Sequence, residues 1–178
     1  MMGISSAYPR TFRLRISACD AYPGIMAEIE VAIRAVMASN VVGRAHCIGC
    51  TQIGSYSKHW PCLFPQHGPD PKHLRPIELR QWQDDIALDR YPREFSRGLI
   101  HSDGCRSMNW VVGQLRAGPK RYTYPRYLFS NESADIRCLF TEACERVGVE
   151  CRPNKRNCIS VARRESVNQL DAFIGSKY

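Results

Sequence analysis

One short phrase occurs twice in this chain and limits its fold more than any other feature. Tyr8-Pro9-Arg10 and Tyr124-Pro125-Arg126 each lead into a strand pattern followed by an amphipathic helix. Ser55-Tyr56-Ser57-Lys58 and Ser160-Val161-Ala162-Arg163 each close a second strand pair before a final helix. A chain organised this way reads as an internal duplication, two copies of one supersecondary plan with pseudo-twofold symmetry.

The periodicities fill in that plan. In the first copy Phe12, Leu14 and Ile16 alternate with Arg13, Arg15 and Ser17, the signature of a half-buried strand with a basic outer face. Pro23 opens a helix carrying Ile25, Ile29, Ile33 and Val36 at helical spacing. Residues 41–58 read as two short strands punctuated by Gly43, Gly49 and Gly54, with a helical turn over 62–67. Gly68-Pro69-Asp70-Pro71 has linker composition, and a helix is expected over 76–88. In the second copy, 105–112 and 126–130 are strands of a long hairpin, with Gly113, Gly118 and Pro119 in the connection. Ser133 caps a helix whose stripe is Ile136, Leu139, Phe140, Ala143 and Val147, ended by Gly148. A basic turn over 153–157, a strand over 158–162 and a last helix with Val167, Leu170 and Ile174, stopped by Gly175, complete it. Both copies therefore read strand-helix-strand-strand-helix, and only the second shows a further helix and first strand in front.

That further helix is the most informative stretch. Starting near Pro92, it runs through Ser96-Arg97-Gly98-Leu99-Ile100-His101-Ser102 and ends at Asp103-Gly104. Gly98 and Ser102 lie four apart, a bare face along which another helix can approach closely. Gly104 stops the helix and leaves Asp103 in its last turn, where the dipole disfavours negative charge by up to ~1 kcal/mol. An acid in that position invites a compensating cation, and a hard metal ion suits it. An ordinary amphipathic helix with a surface aspartate at its end would show the same residues.

Gly98-Leu99-Ile100-x-x-Asp103-Gly104 resembles the LAGLIDADG motif of homing endonucleases, with His101 and Ser96-Arg97 as departures from it. Lys58–Gly68, Arg97–Arg106 and Ile159–Arg164 also look like segments of actinobacterial LAGLIDADG-type proteins, labelled endonuclease-like or transcriptional regulator. The resemblance implies an α+β, LAGLIDADG homing endonuclease-like fold of two pseudo-symmetric halves. Each half would be an antiparallel sheet covered by helices, with the first half missing its motif helix, by truncation or a misplaced start. It divides the chain into an incomplete first half at 1–68, a linker and helix at 69–90, and a second half at 91–178 with its motif helix at 92–104.

The function implied is site-specific cleavage of double-stranded DNA with Mg²⁺ or Mn²⁺. In that family two motif helices pack together and each brings one acid to the centre of a DNA-binding saddle. Carried over, Asp103 is the catalytic metal ligand and the Ser102 carbonyl assists it, with Gly98 and Ser102 at the helix interface. One acid is half a site. Either two chains associate as a homodimer and each supplies one Asp103, or cleavage is impaired by the loss of one motif. The duplicated layout, whose first half already occupies the partner's place, argues against a simple dimer. A non-catalytic DNA-binding regulator on the same saddle is the alternative.

Charge supports a polyanionic partner. The net charge of +8 is segregated, with five Lys/Arg and no acid from Cys105 to Tyr127 and five more from Cys151 to Arg164. The candidate DNA contacts are Arg13, Arg15, Arg106, Asn109, Arg116, Arg121, Arg126, Lys155 and Arg156. No run of eighteen apolar residues occurs, so no membrane partner is expected. Nine cysteines, an odd number without a repeated framework, point to reduced thiols and a cytoplasmic location. Cys47-Ile48-Gly49-Cys50 with His59, Cys62, His67 and His73 is a weak zinc pattern; buried thiols and turn-capping histidines account for it better. His101 and Cys105 could be read as a nucleophile pair, but nothing orients the histidine. Trp60, Trp82 and Trp110 are expected to pack in the core.

Overall fold

The strand patterning resolves into two four-stranded antiparallel sheets with the same strand order. The computed structural model describes residues 2–8, 11–68 and 70–178; the side chains of 2, 3, 5–8 and 72 are outside the description. Pro9 and Arg10 of the first repeated phrase lie outside the described residues. The chain divides into two compact units, one ending at Pro71 and taking in Ser176–Tyr178, the other Lys72–Gly175.

In the first unit, β1 (Met2–Tyr8), β2 (Thr11–Cys19), α1 (Pro23–Val36), β3 (Gly43–Cys47), β4 (Cys50–Ser57) and the short α2 (Trp60–Leu63) follow in order. The sheet runs β1-β2-β4-β3. The register pairs Leu14 with Ser55, Ile16 with Ile53 and Ala18 with Thr51, so these residues share one face. Leu14, Ile53, Ala18, Met26, Ile33 and Trp60 form its core. The Trp60 indole N–H donates to the Ser55 carbonyl at 3.1 Å, which satisfies its one polar atom. Gly54 is required there, because a Cβ would stand 2.1 Å from the Leu14 carbonyl oxygen. Strand β1 was not expected: its small polar residues, Gly3, Ser5 and Ser6, show no alternation, and pairing with β2 alone makes it a strand. The chain's last residue closes the start of α1, its carbonyl accepting from the Ile25 N–H at 3.2 Å and its hydroxyl bonding Glu28.

The second unit opens with a 3₁₀ turn (Lys72–Leu74), then α3 (Gln81–Asp84), which passes into a π-helical turn (Asp85–Arg90). Then come α4 (Pro92–Asp103), β5 (Gly104–Leu115), β6 (Gly118–Ser130), α5 (Ala134–Arg146), β7 (Arg152–Lys155), β8 (Cys158–Val161) and α6 (Arg164–Asp171). The sheet order β5-β6-β8-β7 repeats that of the first unit, so both follow β-β-α-β-β. Among the described residues, only the second carries a helix of the α4 kind in front. Ser133 caps α5, its hydroxyl accepting from the Ile136 N–H at 3.4 Å. Gly148 and Gly175, at φ +74 and +70, provide the left-handed backbone that ends the turns after α5 and α6. Phe129 and Phe140 stack at 4.4 Å in a core shared with Ile100, Tyr127, Val161, Val167 and Leu170.

The hairpin is longer than its glycines and prolines imply. Pairing runs from Gly104↔Phe129 out to Leu115↔Gly118, leaving only residues 116 and 117 as the turn. Pro119 and Pro125 are tolerated because β8 pairs only with Tyr127–Ser130 of β6, so both prolines turn an unneeded N–H position outward. The outcome is a two-stranded ribbon extending beyond the four-stranded region. Among the described residues, no helix is long and apolar enough to cross a membrane. The tryptophans divide: Trp60 is core, whereas Trp82 and Trp110 are 44% and 55% exposed.

Phe140→Ala removes the stacking partner of Phe129 from a fully buried site. It is expected to lower the stability of the second unit by ~3–5 kcal/mol, read from denaturant unfolding followed by near-UV circular dichroism.

Candidate nucleic-acid interface

The site begins where α4 becomes β5 without an intervening loop. Gly104 is both the C-cap of α4, with φ −111 and ψ 169, and the first residue of β5. A Cβ on Gly104 would lie 2.7 Å from Ile100 Cδ1 and 2.9 Å from Ile100 Cα, so only glycine lets the strand leave this close to the helix. Ile100 is itself buried in the core, and it cannot retreat without opening a void.

This junction fixes Asp103. Its Oδ2 accepts from Asn131 Nδ2 at 3.0 Å and from the Ser102 hydroxyl at 3.1 Å; that hydroxyl also reaches the Leu99 carbonyl at 3.0 Å. Asn131 follows β6, and its own backbone N–H is held by the Asn157 carbonyl at 3.0 Å. Asp103 is exposed, and among the described residues its Oδ1 carries no hydrogen bond. The carboxylate is thus oriented through one oxygen and open at the other. Gly98 and Ser102 are exposed, and a Cβ at Gly98 would meet nothing within 4 Å.

Register sorts the basic residues by face. Tyr127, Phe129, Ile159 and Val161 line up on the buried face, so their neighbours in sequence point the other way. On that open face of the ribbon stand the pairs Ser107/Arg126, Asn109/Tyr124, Val111/Tyr122 and Gly113/Lys120, and Lys155 shares the row of Cys158. Asn109 Nδ2 donates to the Tyr124 hydroxyl at 2.6 Å, and Lys120 Nζ lies 5.5 Å from the Tyr122 ring centre. Arg126 Nε is buried with no hydrogen-bond partner among the described residues, a donor left wanting an acceptor. Arg116 sits in the ribbon turn and Arg156 in the β7–β8 turn.

Arg106 and Arg121 fall on the opposite face and are engaged there. Arg106 makes a two-pronged pair with Asp171 (Nε–Oδ1 2.7 Å, Nη2–Oδ2 2.9 Å), and Tyr127 donates to the same carboxylate at 2.7 Å. Arg121 stacks over Trp110 at 4.9 Å. In the first unit Arg13 and Arg15 stand together on the open sheet face, Arg13 lying over the Tyr56 ring at 5.8 Å.

Sequence reasoning missed Lys120, Tyr122 and Tyr124. Their signal was the every-second-residue pattern Lys120-x-Tyr122-x-Tyr124-x-Arg126, obscured by Pro119 and Pro125. Asn131 and Asp171 left no local signal, because their partners lie 28 and 65 residues away. The zinc pattern does not assemble: among the described residues no three of His, Cys, Asp and Glu could hold a metal ion. The thiols of that pattern, expected to be buried, are not: Cys47 and Cys62 are exposed and Cys50 is only partly covered.

No family model and no curated protein matches the sequence. Among solved structures the chain is similar to the LAGLIDADG meganuclease I-AabMI bound to uncleaved DNA. The TM-score is 0.53 at 10% identity, over 97% of this chain and 77% of that one. It is also similar to the meganuclease I-SmaMI bound to uncleaveable DNA with a TTCT central four (TM-score 0.47, 8% identity, 98% and 79% covered). I-SmaMI has also been solved with uncleaved DNA in the presence of calcium ions (TM-score 0.45, 8% identity, 98% and 80% covered). The first of these establishes the fold: α+β with antiparallel sheets and helices, as in the LAGLIDADG meganucleases.

The Arg106 guanidinium, and beside it the Tyr127 hydroxyl, hold the Asp171 carboxyl below the usual carboxylate range. Folding therefore favours its ionised form. That contribution is complete above the ordinary carboxylate pKa and is lost as pH falls through the lower native value. Solvent screening keeps it small, so Asp171→Asn is expected to cost ~1 kcal/mol at pH 7 and less at pH 2–3, measured by urea unfolding across that range.

Proposed function

We propose that this chain is a site-specific double-stranded DNA endonuclease of the LAGLIDADG type, hydrolysing phosphodiesters with a divalent metal. The reading is carried by Asp103: a carboxylate oriented through Oδ2 by Asn131 and Ser102, with Oδ1 open, at the root of a ribbon whose open face is basic. The fold likeness to a meganuclease bound to DNA supports it.

Asp103 fits a hard cation as the protein's share of its ligands. Mg²⁺ is commonly held by one or two carboxylates and completes its shell with water and substrate phosphate oxygens. Asp103 Oδ1 would hold Mg²⁺ or Mn²⁺, helped by the Ser102 carbonyl, one of the last-turn carbonyls that lack a helical partner. When bound, such an ion would offset phosphate charge and make a water more acidic. The chain's own residues do the rest. Asn131 and Ser102 keep the carboxylate from turning away. Lys120, Arg126 and Lys155, with Arg116 and Arg156 in the turns, meet backbone phosphates, while Asn109 and Tyr124 present polar edges toward bases. Arg106 braces β5 against α6 through Asp171, and Arg121 is held on Trp110. In the first unit, Arg13 and Arg15 would meet phosphates from the open face of its own sheet. A second copy of the chain would supply the second acid, with Gly98 and Ser102 as the face for close helix approach.

The alternative, a non-cleaving DNA-binding regulator, is favoured by one fact: among the described residues Asp103 is not part of any group of three or more His, Cys, Asp and Glu that could hold a metal ion. A supercoiled-plasmid nicking assay with Mg²⁺ separates the two. Wild type is expected to nick, Asp103→Asn to lose activity by at least ~10²-fold, and Asn131→Ala by ~10–100-fold, with DNA retention unchanged in both. Retention without nicking by wild type would instead establish the regulator.

A further inference from the structure

Cys19 and the two cysteines of Cys47-Ile48-Gly49-Cys50 stand in one row on the open face of the first unit's sheet. The register pairs Cys47 with Cys50 across β3–β4, and Cys50 with Cys19 across β4–β2. Directly opposed residues share a face, and their Cα atoms lie about 4.5–5.5 Å apart. That is within the ~4.4–6.8 Å a disulfide spans, whereas Cys19 and Cys47, two strands apart, are beyond it. Cys19 and Cys47 are exposed, and Cys50, between them, is partly covered. The three do not converge on a point, and no metal-holding group is found among the described residues. A row lets sulfurs meet pairwise, which suits S–S bonding rather than chelation.

We propose that this row is a reversible thiol–disulfide site in which Cys50 is the shared partner, bonding Cys47 on oxidation by a hydroperoxide and able to exchange to Cys19. The Cys47 sulfur takes the terminal oxygen of ROOH, becoming a sulfenic acid and releasing ROH. The Cys50 sulfur then displaces that oxygen as water, closing the S–S bond. Two thiols have lost two electrons and two protons, and the peroxide is reduced to ROH and water. In exchange, the Cys19 thiolate attacks the Cys50 sulfur and releases Cys47 as a thiolate. Burial, then Cys47, Asp20 and Cys19, hold the Cys50 thiol above its ordinary value, so an exposed flanking sulfur is the one that meets the oxidant first. The site lies on the same open face as Arg13 and Arg15 and does not depend on the DNA reading.

The test is peroxide oxidation of the full chain, alkylation of remaining thiols and non-reducing tryptic mass spectrometry. Cys47 and Cys50 fall in the peptide Ala45–Lys58 and Cys19 in Ile16–Arg34, which keeps the neighbouring thiols Cys144 and Cys151 of the second unit out of the readout. With H₂O₂, unalkylated Ala45–Lys58 is expected to be ~2 Da lighter than its dithiol form, the difference removed by dithiothreitol. In Cys47→Ser the two peptides become cross-linked through Cys19–Cys50. In Cys50→Ser no disulfide forms in the row, and Cys19 and Cys47 are captured by dimedone as sulfenic acids. A wild-type Ala45–Lys58 that gains only oxygen, or a Cys19–Cys47 cross-link in Cys50→Ser as abundant as the Cys47→Ser product, overturns the proposal.

Discussion

The absence of a side chain at residue 104 sets the geometry on which the second unit depends. Ile100 fills the space a Cβ would need, and Ile100 is locked in the core with Phe129 and Phe140. Helix and strand therefore meet with no loop between them, and the residue before the glycine inherits a fixed place at that seam. Asn131, arriving at the far end of β6, grips the same carboxylate. The acid that the helix dipole disfavours is thus held by a tertiary hydrogen bond and by its neighbour Ser102, not by the helix that carries it.

The two-residue period of β-structure does the second piece of sorting. Basic residues are frequent along β5 and β6, but pleating gives alternate ones different partners. Arg106 looks toward α6 and is closed in a two-pronged pair with Asp171, with Tyr127 completing the carboxylate's bonds. Arg126, one step out of phase with Tyr127, faces the open side with its Nε unbonded. Two arginines of equal charge thus differ in role, one a brace within the unit and one turned to the open side, because pairing across the ribbon assigns each a side. The same alternation in the first unit sets Arg13 beside Tyr56, puts Arg15 on the same face opposite Gly54 and lines up the three thiols farther along the sheet.

Legibility followed the length scale of each signal. Helix α4, the cap at Ser133, the stop at Gly148 and the alternating β2 are local, and their residues alone predict them. Strand β1 has no amphipathic pattern, so only its partner reveals it. The ribbon looked short because Gly113, Pro119 and Pro125 read as breakers; on a two-stranded extension the missing N–H groups cost nothing. Trp110 reads as core from its type, yet it stands on the two-stranded part of the ribbon, half exposed, and pairs with Arg121.

What the amino-acid order determines by itself is the repeated plan, the helix ending in Asp103-Gly104 and the concentration of cations in two acid-free stretches, since these depend on neighbours within a few residues. What only the tertiary structure decided is which oxygen of Asp103 is held, which arginines are spent inside the unit and which cysteines share a row. Those outcomes depend on strand register and on contacts between residues far apart in the chain, and no local propensity encodes either.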